Sequence, residues 1–376
     1  MKKILLAMFN LCLFSLCPLT ADAQWVGTWA TSVEGPITND MPKTSLAGKT
    51  LVQTIHVSLG GETLRLQLSN EFGSAPVEIE RVWVGNKTVK FNGKKKITIP
   101  SKETIFSDDF SFPLQPLQRL EIKIKYGKNV PDVATCHRGS RTTSYIYDGK
   151  EMVEKVDHWY NIAALDVKSD DAYSIVCLGN SITDGRGSTT NEQNRWTDFL
   201  AEALGGKVGV LNQGIGGNAV IRGGLSEPAL KRFDRDITPM RGAKVLIIFE
   251  GVNDIGGGQN AANLINAYKE LITKGHRNGM KVLMATITPF KGNSYYTEEH
   301  EKVRKEVNEW IRNSKGQALE SADDIIDFDM MVRDSADNDK LIQAYSDDWL
   351  HLNPRGYEAM GKYAAECLRN YLRIVK

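Results

Sequence analysis

The sequence of 376 residues predicts an all-β sandwich followed by an α/β domain with a parallel sheet. Up to about residue 165, apolar residues alternate with polar ones, which is typical of half-buried strands. Beyond residue 168, short and almost wholly apolar runs alternate with segments of helical spacing, which indicates parallel strands covered on both faces. We therefore expect domains at residues 24–165 and 166–376, preceded by a signal peptide at residues 1–23.

The first 23 residues have the pattern of a secretory signal peptide. Lys2 and Lys3 precede a nearly continuous apolar run at residues 4–16, and Ala-Asp-Ala at residues 21–23 forms a small-residue cleavage motif. The apolar run is too short to cross a bilayer, so we expect no membrane span. A buried N-terminal helix is the alternative interpretation. A cleaved signal peptide predicts a secreted or periplasmic protein.

The composition excludes several classes of protein. Hydrophobic residues make up 41% and charged residues 25%, which is ordinary for a globular chain and argues against disorder, collagen and coiled coil. Lysine and arginine number 47 against 46 acidic residues, so the net charge of +1 offers no footprint for nucleic acid or an anionic membrane. After removal of the signal peptide, Cys136, Cys177 and Cys367 remain, and they allow at most one disulfide within the chain.

Short strands separated by turn signals predict the β-sandwich. Gly60-Gly61, Asn92-Gly93 and the stretch 127–131 punctuate the alternating segments. No segment of this half shows convincing helical spacing, and short strands at such intervals indicate a sandwich. The alternating segments are residues 64–68, 77–84, 97–99 and 120–125.

The second half of the chain alternates five apolar strands with helices. Its last helix has Asn353 as the expected N-cap and Pro354 at its first position. Parallel sheets of this kind bind ligands at the carboxyl ends of their strands, so the residues that follow each strand are the candidates for chemistry. The expected strands are residues 173–178, 208–211, 245–249, 282–287 and 325–328, and the other expected helices are residues 194–204, 261–276 and 298–313.

Ser181 follows the first of these strands, within Gly-Asn-Ser-Ile-Thr-Asp-Gly at residues 179–185. The glycines permit a tight strand-to-helix turn and the helix N-terminus favours developing negative charge, so Ser181 stands where a nucleophile would be. The segment is not a Gly-x-Ser-x-Gly elbow, because Thr183 stands two residues after the serine, and it lacks the Gly-Lys-Ser/Thr of a phosphate-binding loop. Taken alone, a serine in such a loop is more typical of a turn or a helix cap.

Gly217 follows the second strand, in a glycine-rich stretch at residues 212–219. Its backbone N–H group could approach a ligand closely. The stretch also half-matches a dinucleotide-binding fingerprint through Gly214 and Gly216, with Asp234 further along the chain. Such fingerprints usually follow the first strand of their unit, which argues against a dinucleotide here.

Asn253 follows the third strand, and Asp348 and His351 precede the last helix. The Asn253 amide can donate a hydrogen bond to an oxyanion. A carboxylate three residues before a histidine can hold the imidazole in one tautomer and stabilise its charged form. Taken singly, each feature has a plainer interpretation, an Asx turn for Asn253 and a loop histidine with capping acids for His351.

Together these segments favour chemistry over the plainer interpretations. With Ser181 first and Asp-x-x-His last, their order resembles the four sequence blocks of the GDSL or SGNH hydrolases, whose serine, glycine, asparagine and histidine would be Ser181, Gly217, Asn253 and His351. The resemblance extends from about residue 173 to the C-terminus. It implies a three-layer α/β/α, flavodoxin-like fold with a five-stranded parallel sheet, and serine esterase chemistry with no metal and no cofactor.

One residue departs from the family pattern, and two segments of the first half extend the resemblance. Asn180 stands where the family usually has an aspartate that braces the loop, so we expect hydrogen bonding to be kept there and a charge to be lost. Residues 25–30 and 66–73 resemble a jelly-roll-like β-sandwich that precedes the catalytic domain in some secreted bacterial GDSL esterases. Two-domain polysaccharide acetylesterases share that layout.

The resemblance implies a role for each residue. His351 would take the proton of Ser181, Asp348 would orient His351, and the oxyanion would be held by the backbone N–H groups of Ser181 and Gly217 and by the Asn253 amide. Because His351 must be neutral to act as a base, we expect the rate to rise through roughly pH 6–7. The other histidines are dispersed and show no metal-ligand spacing: His56, His137, His158, His276 and His300.

We therefore expect a secreted serine esterase that removes small acyl groups, acetyl above all, from a carbohydrate. The substrate would be an acylated polysaccharide or small molecule, with no nucleic acid, metal or cofactor involved. Two alternatives stay open. One is a lipase or general short-chain acyl esterase, and the other is a non-catalytic glycan-binding protein with a decayed site, which Asn180 would explain. The sequence does not specify the oligomeric state.

Overall fold

The computed structural model describes residues 24–37 and 40–374 of the chain. The expected signal peptide at residues 1–23 lies outside the described residues. Among the helices of the described part, none is both long enough and apolar enough to cross a bilayer. The cysteines at positions 136, 177 and 367 all carry free thiols.

The first part of the described chain, here called the β region (residues 24–169), contains antiparallel strands and no helix within its described residues. The alternation seen in the sequence reappears as alternating burial, for example along Arg119–Tyr126, where every second side chain is buried. The strands are β1 (Gln24–Ala30), β2 (Thr50–His56), β3 (Gly61–Ser69), β4 (Val77–Val84), β5 (Lys87–Val89), β6 (Ile97–Ile99), β7 (Thr104–Phe106), β8 (Phe110–Leu114), β9 (Arg119–Tyr126), β10 (Cys136–His137), β11 (Ser144–Asp148), β12 (Glu151–Val156), β13 (Trp159–Tyr160) and β14 (Ile162–Ser169).

Two antiparallel sheets form the sandwich, which confirms the predicted fold of this region. One sheet has the order β1-β14-β3-β7, with β8 also on β3, and the other has the order β12-β11-β2-β9-β4-β5, with β6 on β4. The short strands β10 and β13 pair with each other. The inward side chains of both sheets form one apolar core that includes Leu51, Leu66, Ile79, Ile122 and Leu165.

The second part, the α/β region (residues 174–374), alternates parallel strands with helices. The Arg355 N–H group donates to Asn353 Oδ1 (3.1 Å), which shows that Asn353 caps the last helix, as predicted. The strands are β15 (Ser174–Gly179), β16 (Gly209–Gly214), β17 (Ala243–Phe249), β18 (Lys281–Ala285) and β19 (Asp324–Ile326). The α-helices are α1 (Ser181–Asp184), α2 (Trp196–Ala203), α3 (Ala229–Asp236), α4 (Val252–Gly256), α5 (Ala261–Arg277), α6 (Glu298–Asn313), α7 (Phe328–Val332) and α8 (Pro354–Ile374).

The five strands form one parallel sheet in the order β16-β15-β17-β18-β19. This order confirms the predicted flavodoxin-like arrangement. Strand β15 lies between β16 and β17, where the strand order reverses. One apolar cluster covers each face of the sheet, and side chains of α3, α5 and α6 pack on one face while those of α2, α7 and α8 pack on the other. The carboxyl ends of β15, β16 and β17 therefore meet at one edge, where α1 begins.

The two regions contact each other directly. Strand β1 lies beside β16. The Gly27 N–H group of β1 donates to the Arg241 carbonyl (2.9 Å), and the Gly27 carbonyl accepts from the Ser174 hydroxyl (3.0 Å). The Val210 N–H group donates to the Ser58 hydroxyl at 2.8 Å. The last strand of the β region, β14, continues past residue 165 to Ser169, and only four residues separate it from β15.

Candidate active site

Ser181, His351 and Asp348 form a continuous hydrogen-bonded chain. The Ser181 Oγ atom lies 2.9 Å from His351 Nε2, and His351 Nδ1 lies 2.7 Å from Asp348 Oδ2. The other carboxylate oxygen of Asp348 accepts from the His351 backbone N–H group at 2.8 Å. One carboxylate thus fixes both the backbone and the ring of the histidine, and the ring nitrogen that faces Ser181 is left to exchange a proton.

The strand-to-helix turn explains the position of Ser181. It is the first residue of α1, directly after β15, and the Asn180 side chain caps this short helix by accepting from the Ile182 N–H group at 3.0 Å. Gly185 ends the helix in the left-handed conformation. Ser181 is buried, with 7% of its surface exposed.

The electrostatic surroundings of His351 keep the ring neutral. Burial, the largest influence, lowers the pKa of the His351 imidazole below its ordinary 6.5, and the Arg186 and Arg141 guanidinium groups lower it further, while Asp348 opposes them. Burial tends to raise the pKa of Asp348, but the hydrogen bonds from His351 hold that pKa below its ordinary value. A neutral imidazole beside an ionised carboxylate is the state that a general base requires.

Two backbone N–H groups at the strand ends have no partner. Among the described residues, neither the Ser181 nor the Gly217 N–H group donates to any acceptor. Gly217 has φ +70°, a backbone conformation that favours glycine, and a Cβ there would lie 3.0 Å from the Leu225 side chain. These two unpaired donors follow adjacent parallel strands and are available to a developing negative charge.

The Asn253 amide is oriented by two neighbours. Its Nδ2 atom donates to the Asn218 carbonyl at 2.7 Å, and its Oδ1 atom accepts from the Tyr295 hydroxyl at 3.0 Å. Because the Asn218 carbonyl can only accept, it fixes Nδ2 as the end of the amide that faces it, and the second Nδ2 hydrogen remains for a ligand. Tyr295 lies in the loop after β18 and was not singled out by the sequence analysis, since nothing in its local pattern distinguishes it.

The comparison with known proteins agrees with this geometry. Residues 177–359 match the sequence model of the GDSL-like Lipase/Acylhydrolase family. These residues form a GDSL-like lipase/acylhydrolase domain. No curated protein shows a significant match to the sequence.

Solved structures with a similar fold come from several bacteria. A GDSL-like lipase from Bacteroides thetaiotaomicron VPI-5482 is 18% identical, with a TM-score of 0.40 over 54% of this chain and 89% of that chain. A carbohydrate acetylesterase family member from Sinorhizobium meliloti is 15% identical, with a TM-score of 0.44 over 54% of this chain and 99% of that chain. The match spans about half of the present chain in both cases.

Within this acylhydrolase domain, Asn180 has a defined partner. Its Nδ2 atom lies 3.2 Å from Glu250 Oε2, while its Oδ1 atom caps α1. The Glu250 side chain is completely buried, and burial raises its pKa well above the ordinary 4.5. The Arg232 guanidinium lies 3.7 Å from Glu250 Oε1, too far for a hydrogen bond. An amide at position 180 can donate to Glu250 and accept from Ile182 at once, which a carboxylate cannot do.

Two other groups support the strand ends and were missed from the sequence. Arg232 of α3 is fully buried and donates to the Gly179 carbonyl (3.1 Å) and the Asn218 side chain (2.9 Å). His137 of the β region lies 2.9 Å from Asp184, the last residue of α1. Arginine and histidine are common surface residues, so their sequence positions alone gave no signal.

Asp234, the acidic residue of the half-matched dinucleotide fingerprint, instead pairs with Lys274 at 2.7 Å on the outer surface. Within residues 24–37 and 40–374, no group of three or more histidine, cysteine and acidic side chains is arranged to hold a metal ion.

Proposed function

We propose that this protein is a secreted serine esterase that removes small acyl groups, acetyl above all, from a carbohydrate. The observation that carries the esterase activity is the chain from Ser181 Oγ to His351 Nε2 (2.9 Å) and from His351 Nδ1 to Asp348 Oδ2 (2.7 Å). Two further observations support the proposal. The domain matches an acylhydrolase family, and the unpaired N–H groups of Ser181 and Gly217 follow adjacent strands.

Each group has one role in the proposed reaction. His351 accepts the Ser181 proton as Oγ attacks the ester carbonyl, and then gives that proton to the departing alcohol. The Ser181 and Gly217 N–H groups and the Asn253 amide hold the oxyanion. Water, deprotonated by His351, then releases the acid from the acyl-enzyme and restores the Ser181 hydroxyl.

The carbohydrate part of the proposal rests on the organisation of the chain. A signal-like N-terminus directs the protein out of the cytoplasm. Acylated polysaccharides are available as substrates outside the cytoplasm. The β region, which resembles the sandwich of two-domain polysaccharide acetylesterases, lies directly against the acylhydrolase domain. Apolar residues near the site are too few and too scattered in sequence to suggest a groove for a long acyl chain.

The test is acetate release from a panel of acetylated plant and microbial glycans, with the Ser181→Ala variant as control. We expect release from at least one glycan, its loss in the variant, and equal melting temperatures for the two proteins. Turnover of octanoyl esters in preference to acetyl esters would favour the lipase alternative. A protein that neither releases acetate nor reacts with a serine-directed fluorophosphonate would be a glycan-binding protein instead.

A further inference from the structure

A loop of the β region closes around one carboxylate of the acylhydrolase domain. His137 Nε2 lies 2.9 Å from Asp184 Oδ1, and Arg141 Nη2 lies 2.9 Å from Asp184 Oδ2. Between them, a Cβ at Gly139 would come within 2.0 Å of Asp184 Oδ2, so only glycine permits this approach. Asp184 ends the helical turn that Ser181 begins. The β region therefore contacts the turn that carries the proposed nucleophile.

The hydrogen-bond geometry of His137 requires an imidazolium. Its Nδ1 atom lies 2.8 Å from the Ser32 carbonyl oxygen, and its Nε2 atom lies 2.9 Å from a carboxylate oxygen of Asp184. Both neighbours are acceptors only, and a neutral ring has a single N–H to offer. A neutral His137 would bring a nitrogen lone pair against one of these oxygens, so the arrangement is satisfied only when both nitrogens carry protons.

The charges around His137 agree with that state. Burial favours the neutral ring, but Asp184 and then Glu34, whose Oε1 lies 3.6 Å from Nδ1, raise the pKa of His137 above its ordinary 6.5. Each of these two carboxylates also has cationic neighbours. Arg141 and Arg195 lie near Asp184, and Arg138 donates to Glu34.

We propose that His137 is a positioning residue of the esterase site, which as an imidazolium holds Asp184 and thereby keeps Ser181 aligned with His351. The path is short and consists of hydrogen bonds within one helical turn. The Asp184 N–H group donates to the Asn180 carbonyl (2.9 Å), and the next residue, Gly185, donates to the Ser181 carbonyl (3.0 Å). A shift of the Asp184 carboxylate therefore rotates the whole turn and moves Ser181 Oγ away from His351.

This proposal rests on the proposed function and changes the role of the β region. A sandwich that only bound glycan could be removed without loss of turnover on a small soluble ester. A sandwich that supplies His137 is part of the catalytic unit, because without it the Asp184 carboxylate would lose both of its partners from the β region, His137 and Arg141.

The matched control is His56, which makes the same kind of pair across the same interface. His56 Nδ1 lies 2.9 Å from Asp198 Oδ1 and its Nε2 lies 3.0 Å from the Leu117 carbonyl oxygen, so it too is satisfied as an imidazolium. Asp198 belongs to α2 rather than to the turn of Ser181. Loss of His56 should weaken the interface but leave the nucleophile in place.

The experiment compares the full-length His137→Gln and His56→Gln variants with the parent protein on a soluble acetyl ester. We expect both to melt at lower temperature, and only His137→Gln to lose kcat, by about 100-fold, since an error of about 1 Å in the nucleophile costs that much. KM should change little because substrate contacts are retained. Equal kcat in the two variants, whatever their melting temperatures, would overturn the proposal.

A second measurement remains available if His137→Gln does not fold. The rate at which a fluorophosphonate modifies Ser181 in the parent protein should decline with rising pH above 6.5, as His137 loses its proton while the protein stays folded. A rate that stays constant until the protein unfolds in alkali would overturn the proposal. Absence of any modification of the parent protein would instead contradict the proposed esterase function, so the two failures are distinguishable.

Discussion

Two histidine–aspartate pairs contact the residues of the Ser181 turn, one within the α/β region and one formed between the two regions, and the two pairs have opposite character. In the first pair, His351 faces Asp348 with one nitrogen and the Ser181 hydroxyl with the other. In the second pair, His137 of the β region faces Asp184 of α1 with one nitrogen and the Ser32 carbonyl with the other. Burial lowers the pKa of His351, whereas two carboxylates raise that of His137 despite its burial.

The difference shows how the second partner decides what a buried histidine can do. A hydroxyl can accept or donate, so the His351 ring can exist with or without its second proton and can act as a base. A carbonyl oxygen can only accept, so the His137 ring must keep both protons and acts as a fixed cation. Aspartate is common to both pairs and therefore does not distinguish them.

Replacement of His351 should give the largest effect. The His351→Ala variant removes the base, and we expect kcat to fall by about 10⁴-fold or more with little change in melting temperature. The decisive measurement is kcat on the same soluble ester that is used for His137→Gln. A His351→Ala variant that is no slower than His137→Gln would remove the distinction between base and positioning residue.

The second support of α1 comes from within the α/β region, through Asn180 and Glu250. Asn180→Asp would replace the amide–carboxyl contact (3.2 Å) by two carboxyl groups that must share a proton. The shared proton raises a folded-state pKa above the unfolded value, so stability is lost as pH rises. We expect the free energy of unfolding of the variant to be lower than that of the parent protein by about 1–3 kcal/mol. In denaturant titrations, this difference should grow from acid to neutral pH.

The control for that change is the double variant Asn180→Asp with Glu250→Gln. A glutamine amide can donate to the new carboxylate, so stability and its pH dependence should return towards those of the parent protein. If the free energy of unfolding of Asn180→Asp equals that of the parent protein at every pH, the contact with Glu250 does not explain why asparagine stands at this position.

Tyr295 should have a smaller effect that falls on the oxyanion donor alone. Tyr295→Phe removes the hydroxyl that lies 3.0 Å from Asn253 Oδ1, so one of the two hydrogen bonds that hold the amide is lost. We expect kcat to fall about 2- to 10-fold at constant KM, the range of one lost neutral hydrogen bond. The adjacent Tyr296→Phe, whose ring packs against Phe290, is the matched control and should leave kcat unchanged.

The smallest expected effect is a shift in the pH at which the rate of ester turnover rises. Because the pKa of His351 is lowered from 6.5, more than half of the enzyme has a neutral His351 at pH 6.5. The rate of acetyl ester turnover at pH 6.5 should therefore exceed half of its plateau, which moves the rise below the pH 6–7 expected from the sequence. A midpoint above pH 6.5 would contradict the electrostatic account of His351.

The parallel sheet could be predicted because its strands are almost wholly apolar. Runs such as Val245 to Phe249 have no exposed face, and their continuous apolar sequence is typical of a central strand of a parallel sheet. Helix α3 (Ala229–Asp236) could not be predicted in this way, because Arg232 and Asp236 are buried and compensate each other at 3.2 Å. A polarity pattern assigns such residues to the surface.

The blocks around Ser181, Gly217, Asn253 and His351 could be predicted because each lies within a few residues of a strand or helix end. The supports of the site could not. His137 and Asp184 lie 47 residues apart in different regions, and Tyr295 and Asn253 lie 42 apart. The first pair depends on the packing of the β region on the α/β region, and the second on the packing of the loop after β18 against α4, so neither leaves a local pattern.

The most direct test of the account is to identify the residue that a serine-directed fluorophosphonate modifies. Intact-mass and peptide mass spectrometry of the folded full-length protein should show one adduct per chain, on Ser181, and should show none in His351→Ala over the same time. An adduct on another residue, or no adduct on a protein whose melting curve is intact, would contradict the claim that Ser181 and His351 form a working nucleophile and base.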